Sequence, residues 1–328
     1  MSLKTNLISK STRIKVGLTI GDPSGIGPVI VLKAINKLSG LADFVVIGDS
    51  WVLSRIPEIR NQKPEARFVD SNNVNHKKFS FGIIKAEYGR ASIEYLDKAL
   101  ELLSNKEIDC LVTAPISKEA IAGAGFKYGG HTEYFLKKTG SAGVVMMLLN
   151  DKLKFSLVTR HIPLNKVSRA LNKAGLRENI LITYKSLVDF FGIKKPRIVL
   201  CGVNPHASDH GIIGNEELLI LKPALKKIKR SIDGQIDGPF SSDVAILEAS
   251  RGKYDCVIAM YHDQALIPLK LTGFDSGVNL TLGLPFVRTS PLHGTAFDIA
   301  KSPQLADPSS LIAAIKLAVK CASQLKRA

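Results

Sequence analysis

The chain is sparing with cysteine: four in 328 residues, Cys110, Cys201, Cys256 and Cys321, and no two form a C-x-x-C pair. That excludes a disulfide scaffold and a cysteine-based zinc motif. Three of the four lie in apolar, strand-like runs, where a thiol serves as a small buried hydrophobe. The set fits a reducing, cytoplasmic compartment. Long apolar runs are also missing. None approaches the roughly 20 residues of a membrane-spanning helix, and Met1 to Arg13 is polar, reading as a frayed tail and not as a secretory signal. Acidic residues are scarce beside basic ones, 29 against 45, for a formal net charge of +16. Nucleic-acid binding, a basic cleft for an anionic substrate, and a solvated basic surface would each account for that excess. The lysines are scattered, as in Lys222 to Arg230 and Lys316 to Lys326, without aromatic interleaving. This argues against nucleic acid.

Two nucleotide-binding fingerprints are lacking as well. The stretch Gly21-Asp22-Pro23-Ser24-Gly25-Ile26-Gly27-Pro28 follows an apolar strand and opens a helix. A G-x-G-x-x-G motif would need glycine where Ile30 stands. A P-loop would need Lys-Ser/Thr after Gly27, where Pro28 stands. The chain is therefore no Rossmann dehydrogenase by its fingerprint, although a glycine-rich turn entering a helix can still face a ligand.

What is present is ordinary globular material, 45% hydrophobic and 23% charged, long enough for two domains or one large α/β body. Strands are expected at Arg13 to Ile20, Ala42 to Gly48, Ile108 to Thr113, Val144 to Leu149, Phe155 to Thr159, Arg197 to Val203 and Cys256 to Tyr261. Helices are expected at Val29 to Leu38, Ala91 to Leu103, Leu164 to Lys173, Leu176 to Phe191, Asn215 to Arg230, Val244 to Ala249 and Pro308 to Lys326. Asn61 to Lys78 reads as a polar loop. The alternation argues for an α/β fold with a largely parallel sheet, and the short Asn150-Asp151 turn adds an antiparallel pair.

The chemistry concentrates between Tyr254 and Ala300. An apolar strand ends in His262-Asp263-Gln264, followed by Lys270, Asn279, Arg288 and His293 on segments rich in Gly, Pro and Thr. Strand ends that deliver such groups are how α/β enzymes build sites. Three of the seven histidines share this context: His161, His206 and His262 each follow a strand. Imidazoles converging from one sheet edge can hold a divalent metal with positions left open. A lone strand-end histidine is more often structural; three in matching places reverse that expectation. Asp243 and Asp263 lie near them in sequence, and either could take a proton from a substrate hydroxyl. Asp243 also reads as a helix cap. Lys270, Asn279 and Arg288 make a reasonable phosphate clamp, to which Gly130-His131-Thr132 could add an amide, an imidazole and a hydroxyl.

The runs GDPSGIGP, TAPISKEA, GGHTEYF, TRHIPL, NPHASDHGIIGNEE, GPFSSD, YHDQALIPLK and GVNLTLGLPFVRTSPLHGTAFDIA occur in order from Ile14 to Ala300. In them the chain resembles the 4-hydroxythreonine-4-phosphate dehydrogenase family of pyridoxal phosphate biosynthesis. The resemblance implies an α/β/α isopropylmalate-dehydrogenase-like fold of two subdomains with a cleft, residues 1–127 plus 265–328 on the cofactor side and 128–264 on the metal and dimerisation side. It implies a homodimer with shared active sites and no nucleic-acid or membrane partner. His161, His206 and His262 would bind one divalent metal (Zn, Mg, Co or Mn), with ligands from both subunits. His131, Thr132, Lys270, Asn279 and Arg288 would contact a phosphorylated substrate, and Asp243, Asp263 and Lys270 would serve catalysis. His293, Gly294, Thr295 and Ala296 would form the dinucleotide loop for NAD or NADP. The implied reaction is oxidation of the C3 hydroxyl of 4-phosphooxy-threonine and loss of CO2 to give 3-amino-2-oxopropyl phosphate. A threonate or erythronate phosphate is the alternative substrate; a metal-dependent hydrolase is a remoter one that would leave the HGTAFDIA run unexplained. The chain departs from the family pattern at Val29 for Glu, Ala265 for Gly, Leu292 for Asp and Lys301 for Gly. The last two move the cofactor loop toward positive charge, which favours a 2′-phosphate.

Overall fold

Eleven strands form one sheet in the computed structural model, which describes residues 13–56, 64–273 and 276–327. The tail expected before Arg13 lies outside them. The strands are β1 Lys15–Thr19, β2 Asp43–Gly48, β3 Ala66–Asp70, β4 Cys110–Thr113, β5 Val145–Leu149, β6 Lys154–Leu157, β7 Arg197–Cys201, β8 Gln235–Phe240, β9 Cys256–Ala259, β10 Val278–Leu282 and β11 Val287–Pro291. Their order is β3-β2-β1-β4-β11-β10-β5-β6-β9-β7-β8. Neighbours are parallel except at the centre, where β11–β10, β10–β5 and β5–β6 are antiparallel. Residues 1–127 and 265–328 supply the contiguous half β3 to β10, and residues 128–264 supply β5 to β8.

The interior parallel strands are buried on both faces. β1, β4, β7 and β9 are almost wholly apolar and inaccessible, as expected where helices cover a parallel sheet on either side. The helix Ser309–Leu325 packs on β4, β10 and β11, and Thr289 Oγ1 donates to the Ala314 carbonyl at 2.8 Å. Side chains alternate along a strand, so Arg288 and Ser290 face the other way. On that opposite face Phe135 of the helix His131–Thr139 lies under the Arg288 guanidinium and Ala265 and Leu269 of the helix His262–Gly273 cluster with Leu148, and the part these helices leave open becomes the floor of the site.

Three sequence expectations need correction. The stretch 61–78 contains a strand, β3, an exposed edge whose side chains lack the alternation of a half-buried strand. The helix expected over 164–173 breaks into a 3-10 turn, Leu164–Lys166, and the short Val167–Ala170. Asn172 then caps a new helix, accepting from the Gly175 N–H at 2.8 Å. The segment after His262 is a helix, His262–Gly273, despite Pro268. Its exposed side mixes Ile267 and Leu271 with Asp263 and Lys270 opposite buried Ala265 and Leu269, so apolar periodicity does not reveal it.

Candidate active site

A cavity of about 260 Å³ lies on the open face of the central strands. Its floor follows from register. Asn279 on β10 pairs with Ser290 on β11 and with Leu148 on β5. Thr281 pairs with Arg288 on one side and Met146 on the other. Thr113 closes β4. These residues share one face by the two-residue repeat, and all except Thr281 line the cavity. The walls are Lys118, the 129–133 turn and helix start, Arg160, His161, His262 and the 290–294 segment.

Arg288 is 1% exposed and pairs with no carboxylate among the described residues. Its Nη1 donates to Thr281 Oγ1 at 3.0 Å and its Nη2 to Thr113 Oγ1 at 2.5 Å. Burial pulls its pKa down to about 9, so it is still a cation at neutral pH, buried without a counter-charge. Such a cation is costly unless an anion joins it. His131 Nε2, Arg160 Nη1, Asn279 Oδ1, Arg288 Nε and His293 Nε2 are buried with no hydrogen-bond partner among the described residues, and all five belong to residues lining this cavity. Clustered unsatisfied polar atoms mark a place that a ligand or water completes. Burial, and then the nearby Arg288 charge, hold the His131 pKa well below the usual histidine range. That ring is a neutral hydrogen-bonding group.

His161 and His262 face one another, ring centroids 5.6 Å apart. The tips of β6 and β9 place them. Val158 N–H donates to the Ala259 carbonyl at 2.9 Å, and both the N–H and the hydroxyl of Thr159 donate to the Met260 carbonyl, at 3.1 and 2.6 Å. Buried Gln264 accepts from the Met260 N–H at 2.6 Å and donates to the Gly202 carbonyl at 2.9 Å and Ser242 Oγ at 2.7 Å. The glutamine of YHDQ thus ties the tip of β9 to that of β7. Partial burial, then Lys118, His262 and Arg160, lower the His161 pKa and favour its neutral, metal-competent form. His262 Nδ1 lies 2.7 Å from Asp263 Oδ1, an arrangement that orients a metal-binding imidazole and leaves Nε2 free. These two rings fit a divalent cation but do not complete its shell. Among the described residues no group of three or more His, Cys, Asp or Glu is gathered closely enough to hold a metal.

His206 does not line the cavity. It is exposed, at the start of a run, His206–His210, in which every φ is positive, from 43° to 72°. Left-handed non-glycine residues cost energy and persist where their surroundings impose them. Here buried Glu217 accepts from the N–H groups of Val203 and Asn204 at 2.7 and 2.9 Å, and Asn204 also donates to Glu216 at 2.8 Å. Asp243 is exposed beside Ser241, whose hydroxyl donates to it at 2.5 Å. That bond, with smaller contributions that include His206, keeps the Asp243 carboxyl below its ordinary range.

His131, Thr132, His161, His262, Asn279, Arg288, His293 and Gly294 therefore share one cavity, while His206, Asp243, Asp263, Lys270, Thr295 and Ala296 lie outside its lining. Lys270 lines an adjoining cavity with His293 and Asp307. Thr295 rests on the glycine-rich turn: Ile26 N–H donates to its carbonyl at 3.0 Å. Thr113, Lys118, Arg160 and Ser290 were missed. Lys118 and Arg160 stood inside two of the quoted runs, TAPISKEA and TRHIPL, and a strand-end placement like that of His161 was the available signal.

Residues 39–318 match the family model described as pyridoxal phosphate biosynthetic protein PdxA. A 4-hydroxythreonine-4-phosphate dehydrogenase of Sulfurihydrogenibium sp. is 42% identical over 320 residues, 93% of this chain and 98% of that protein. A D-threonate 4-phosphate dehydrogenase of Salmonella typhimurium is 40% identical over 326 residues, 94% and 98% of the two chains. The crystal structure of a 4-hydroxythreonine-4-phosphate dehydrogenase from Klebsiella pneumoniae superimposes with a TM-score of 0.86 at 34% identity, covering 96% of this chain and 99% of that one. With the mixed sheet, the central cavity and these full-length likenesses together, the chain belongs to the PdxA family and is a dehydrogenase of that family.

Proposed function

We propose that this protein is a metal-dependent, NAD(P)-linked dehydrogenase that oxidises and decarboxylates 4-phosphooxy-L-threonine to 3-amino-2-oxopropyl phosphate. The observation that carries this reading is Arg288, a fully buried cation with no carboxylate partner, beside two facing imidazoles. The first calls for an anionic ligand and the second suits a cation that a hydroxyl could approach.

In this reading Arg288 and Asn279, with His131 and Thr132 beside them, hold the phosphate. Lys270 reaches the substrate from the adjoining cavity. Fixing that end orients the C3 carbon toward His161 and His262. A divalent ion held by His161, His262 and His206 supplies Lewis-acid polarisation of the hydroxyl when bound. His206 would complete the set across a dimer interface. Support for a dimer comes from exposed apolar side chains on the segments that follow the three histidines in sequence: Leu164, Ile212 and Leu271 are 72%, 80% and 83% exposed, and Ile267 is exposed too, as are Val244 and Leu247 beside Asp243. Asp243, kept ionised by Ser241, or Asp263 takes the hydroxyl proton, directly or through an oriented water. The 293–296 loop would seat a nicotinamide cofactor, which would supply the hydride acceptor.

D-threonate 4-phosphate is the second reading, because a relative named for it is as similar as those named for 4-hydroxythreonine 4-phosphate. Both substrates offer the same phosphate, hydroxyl and carboxylate to the groups above. The deciding experiment follows NADH and NADPH formation from each substrate, with and without a chelator. Chelator-sensitive turnover of 4-phosphooxy-threonine at the higher kcat/KM is expected. Faster turnover of D-threonate 4-phosphate would replace the first reading with the second, and turnover of neither would sink both.

A further inference from the structure

The cavity is lined by three cations, Lys118, Arg160 and Arg288. Arg288 is at the floor. At the wall stand Lys118 and Arg160, and the only acid among the described lining residues is Glu133. Lys118 is exposed toward the cavity and makes no hydrogen bond or ion pair with any described residue. Its Cε lies 3.7 Å from where a Cβ on Gly130 would be, so it leans over that glycine, and its charge acts on His161. Gly130 has φ 152°, a conformation that L side chains rarely adopt. Arg160 directly precedes His161, and its Nη1 is buried without a partner. The Glu133 carboxylate lies at the same distance, 3.7 Å, from that Gly130 position, so this wall carries two cations against one acid and keeps a net positive charge for a ligand.

We propose that Lys118, assisted by Arg160, is a second anion subsite, separate from Arg288, that receives the C1 carboxylate of the substrate. The assignment rests on the dehydrogenase reading. A substrate with an anion at each end and a hydroxyl between them spans the cavity with its reacting carbon toward His161 and His262. Two subsites of one sign select doubly anionic acids over simple phosphate esters. A cavity this small, below the roughly 300–1,000 Å³ of pockets for drug-sized ligands, suits so short a molecule. Lys118 contributes most where water is excluded by the bound ligand, because a charge-assisted hydrogen bond strengthens as the local dielectric falls.

Calorimetric binding to the metal-loaded protein tests this without turnover. The probes are 4-phosphooxy-threonine and D-threonate 4-phosphate, each beside its C1 carboxamide. Wild type should bind each acid more tightly than its amide by about 10- to 100-fold, the range of a charge-assisted hydrogen bond. Lys118→Met should lose that factor for the acids and leave the amides unchanged, while Lys118→Arg retains most of it. Inorganic phosphate, which needs only Arg288, should bind Lys118→Met as it binds wild type. Equal weakening of acid and amide in Lys118→Met, or equal binding of both by wild type, overturns the subsite and leaves the dehydrogenase reading standing. Failure of wild type to bind either acid overturns that reading and the subsite with it.

Discussion

Arg288 on β11 is held by the hydroxyl of Thr113 on β4, 2.5 Å from its Nη2. The two strands are parallel neighbours, so a hydroxyl at one strand end aims a cation carried by the next. The Thr281 hydroxyl holds Nη1 from the other side. Thr113→Val keeps the shape and deletes the hydroxyl. One buried donor is then unsatisfied, at a cost of about 1–3 kcal/mol. We expect a fall in melting temperature and a rise of about tenfold in KM for the phosphorylated substrate, with kcat little changed. Arg288→Met should behave differently: substrate binding is lost by at least about 100-fold, yet stability is retained or raised, since an uncompensated buried cation has been replaced by an apolar chain. Steady-state kinetics beside thermal melts separate the two. Full substrate affinity in Arg288→Met would remove the anion site.

The metal set gives a second prediction. His161→Ala and His262→Ala should each abolish bound divalent metal, measured by elemental analysis after dialysis, with circular dichroism unchanged. Asp263→Asn leaves the ligand in place but removes the group that orients it, and should weaken metal binding by about 10- to 100-fold. Stoichiometric metal in either alanine variant would sink the assignment of these rings.

Dimerisation can be separated from the ligands themselves. Val244 and Leu271 are exposed apolar residues on the helices that begin just before Asp243 and at His262. A charge there opposes their burial. Val244→Glu with Leu271→Glu should sediment as a monomer, fold normally and retain little metal, because His206 would then have no counterpart across the interface. A monomeric variant with full metal content would mean that one chain suffices.

Much of this was legible in residue order, and the remainder failed for physical reasons. Apolar strands ending in His161 and His262 announced themselves, since a buried parallel strand is a run of Val, Ile, Leu and Cys with little polar interruption. Arg288 was legible as a candidate phosphate ligand, but its full burial was not. Its burial depends on register with β4 and β10, which are far apart in sequence. The helix His262–Gly273 was hidden because apolar residues stand on its exposed side as well as its buried one and Pro268 interrupts it. Gln264 read as one more site residue, and only the adjacency of β7 and β9 shows it to be a tie between strand tips. The closeness of the Gly21–Pro28 turn to Thr295, 270 positions later in the chain, was invisible for the same reason.

Asp22 supports a prediction about pH. It is fully buried; its Oδ1 accepts from the Ser24 N–H at 3.0 Å, and its Oδ2 has no partner. Burial raises its pKa to about 7 against that one hydrogen bond. The folded state therefore keeps a proton that the unfolded chain releases near pH 4. The associated stability is fully present below pH 4 and is lost as pH rises through about 7. Asp22→Asn preserves the acceptor and removes the titration. Its melting temperature should exceed that of wild type increasingly from pH 4 to about pH 7 and by a steady margin above that, and a constant offset between pH 4 and pH 7 would refute the buried acid.

The glycine-rich turn and the dinucleotide loop offer the last test. Ile26 N–H donates to the Thr295 carbonyl at 3.0 Å, and a Cβ on Gly25 would lie 2.8 Å from the Thr295 oxygen and 3.2 Å from its Cβ. The obstacle is mainly backbone, so it cannot rotate aside; the 293–296 loop must shift. Gly25→Ala should therefore act on the cofactor and not on the metal or the phosphate. A displacement approaching 1 Å at a binding loop can cost up to about 100-fold. We expect KM for NAD and NADP to rise by at least about tenfold, with unchanged metal content and unchanged affinity for inorganic phosphate. Fluorescence titration with NADH gives the affinity directly. The ratio of the two cofactor constants should stay as in wild type, because the turn contacts the loop backbone at Thr295, whereas Leu292 and Lys301 are where the sequence departs from the family pattern and are the expected selectors between cofactors. Lys301→Gly should shift kcat/KM toward NAD. If Gly25→Ala binds NADH as wild type does, the 293–296 loop does not carry the cofactor.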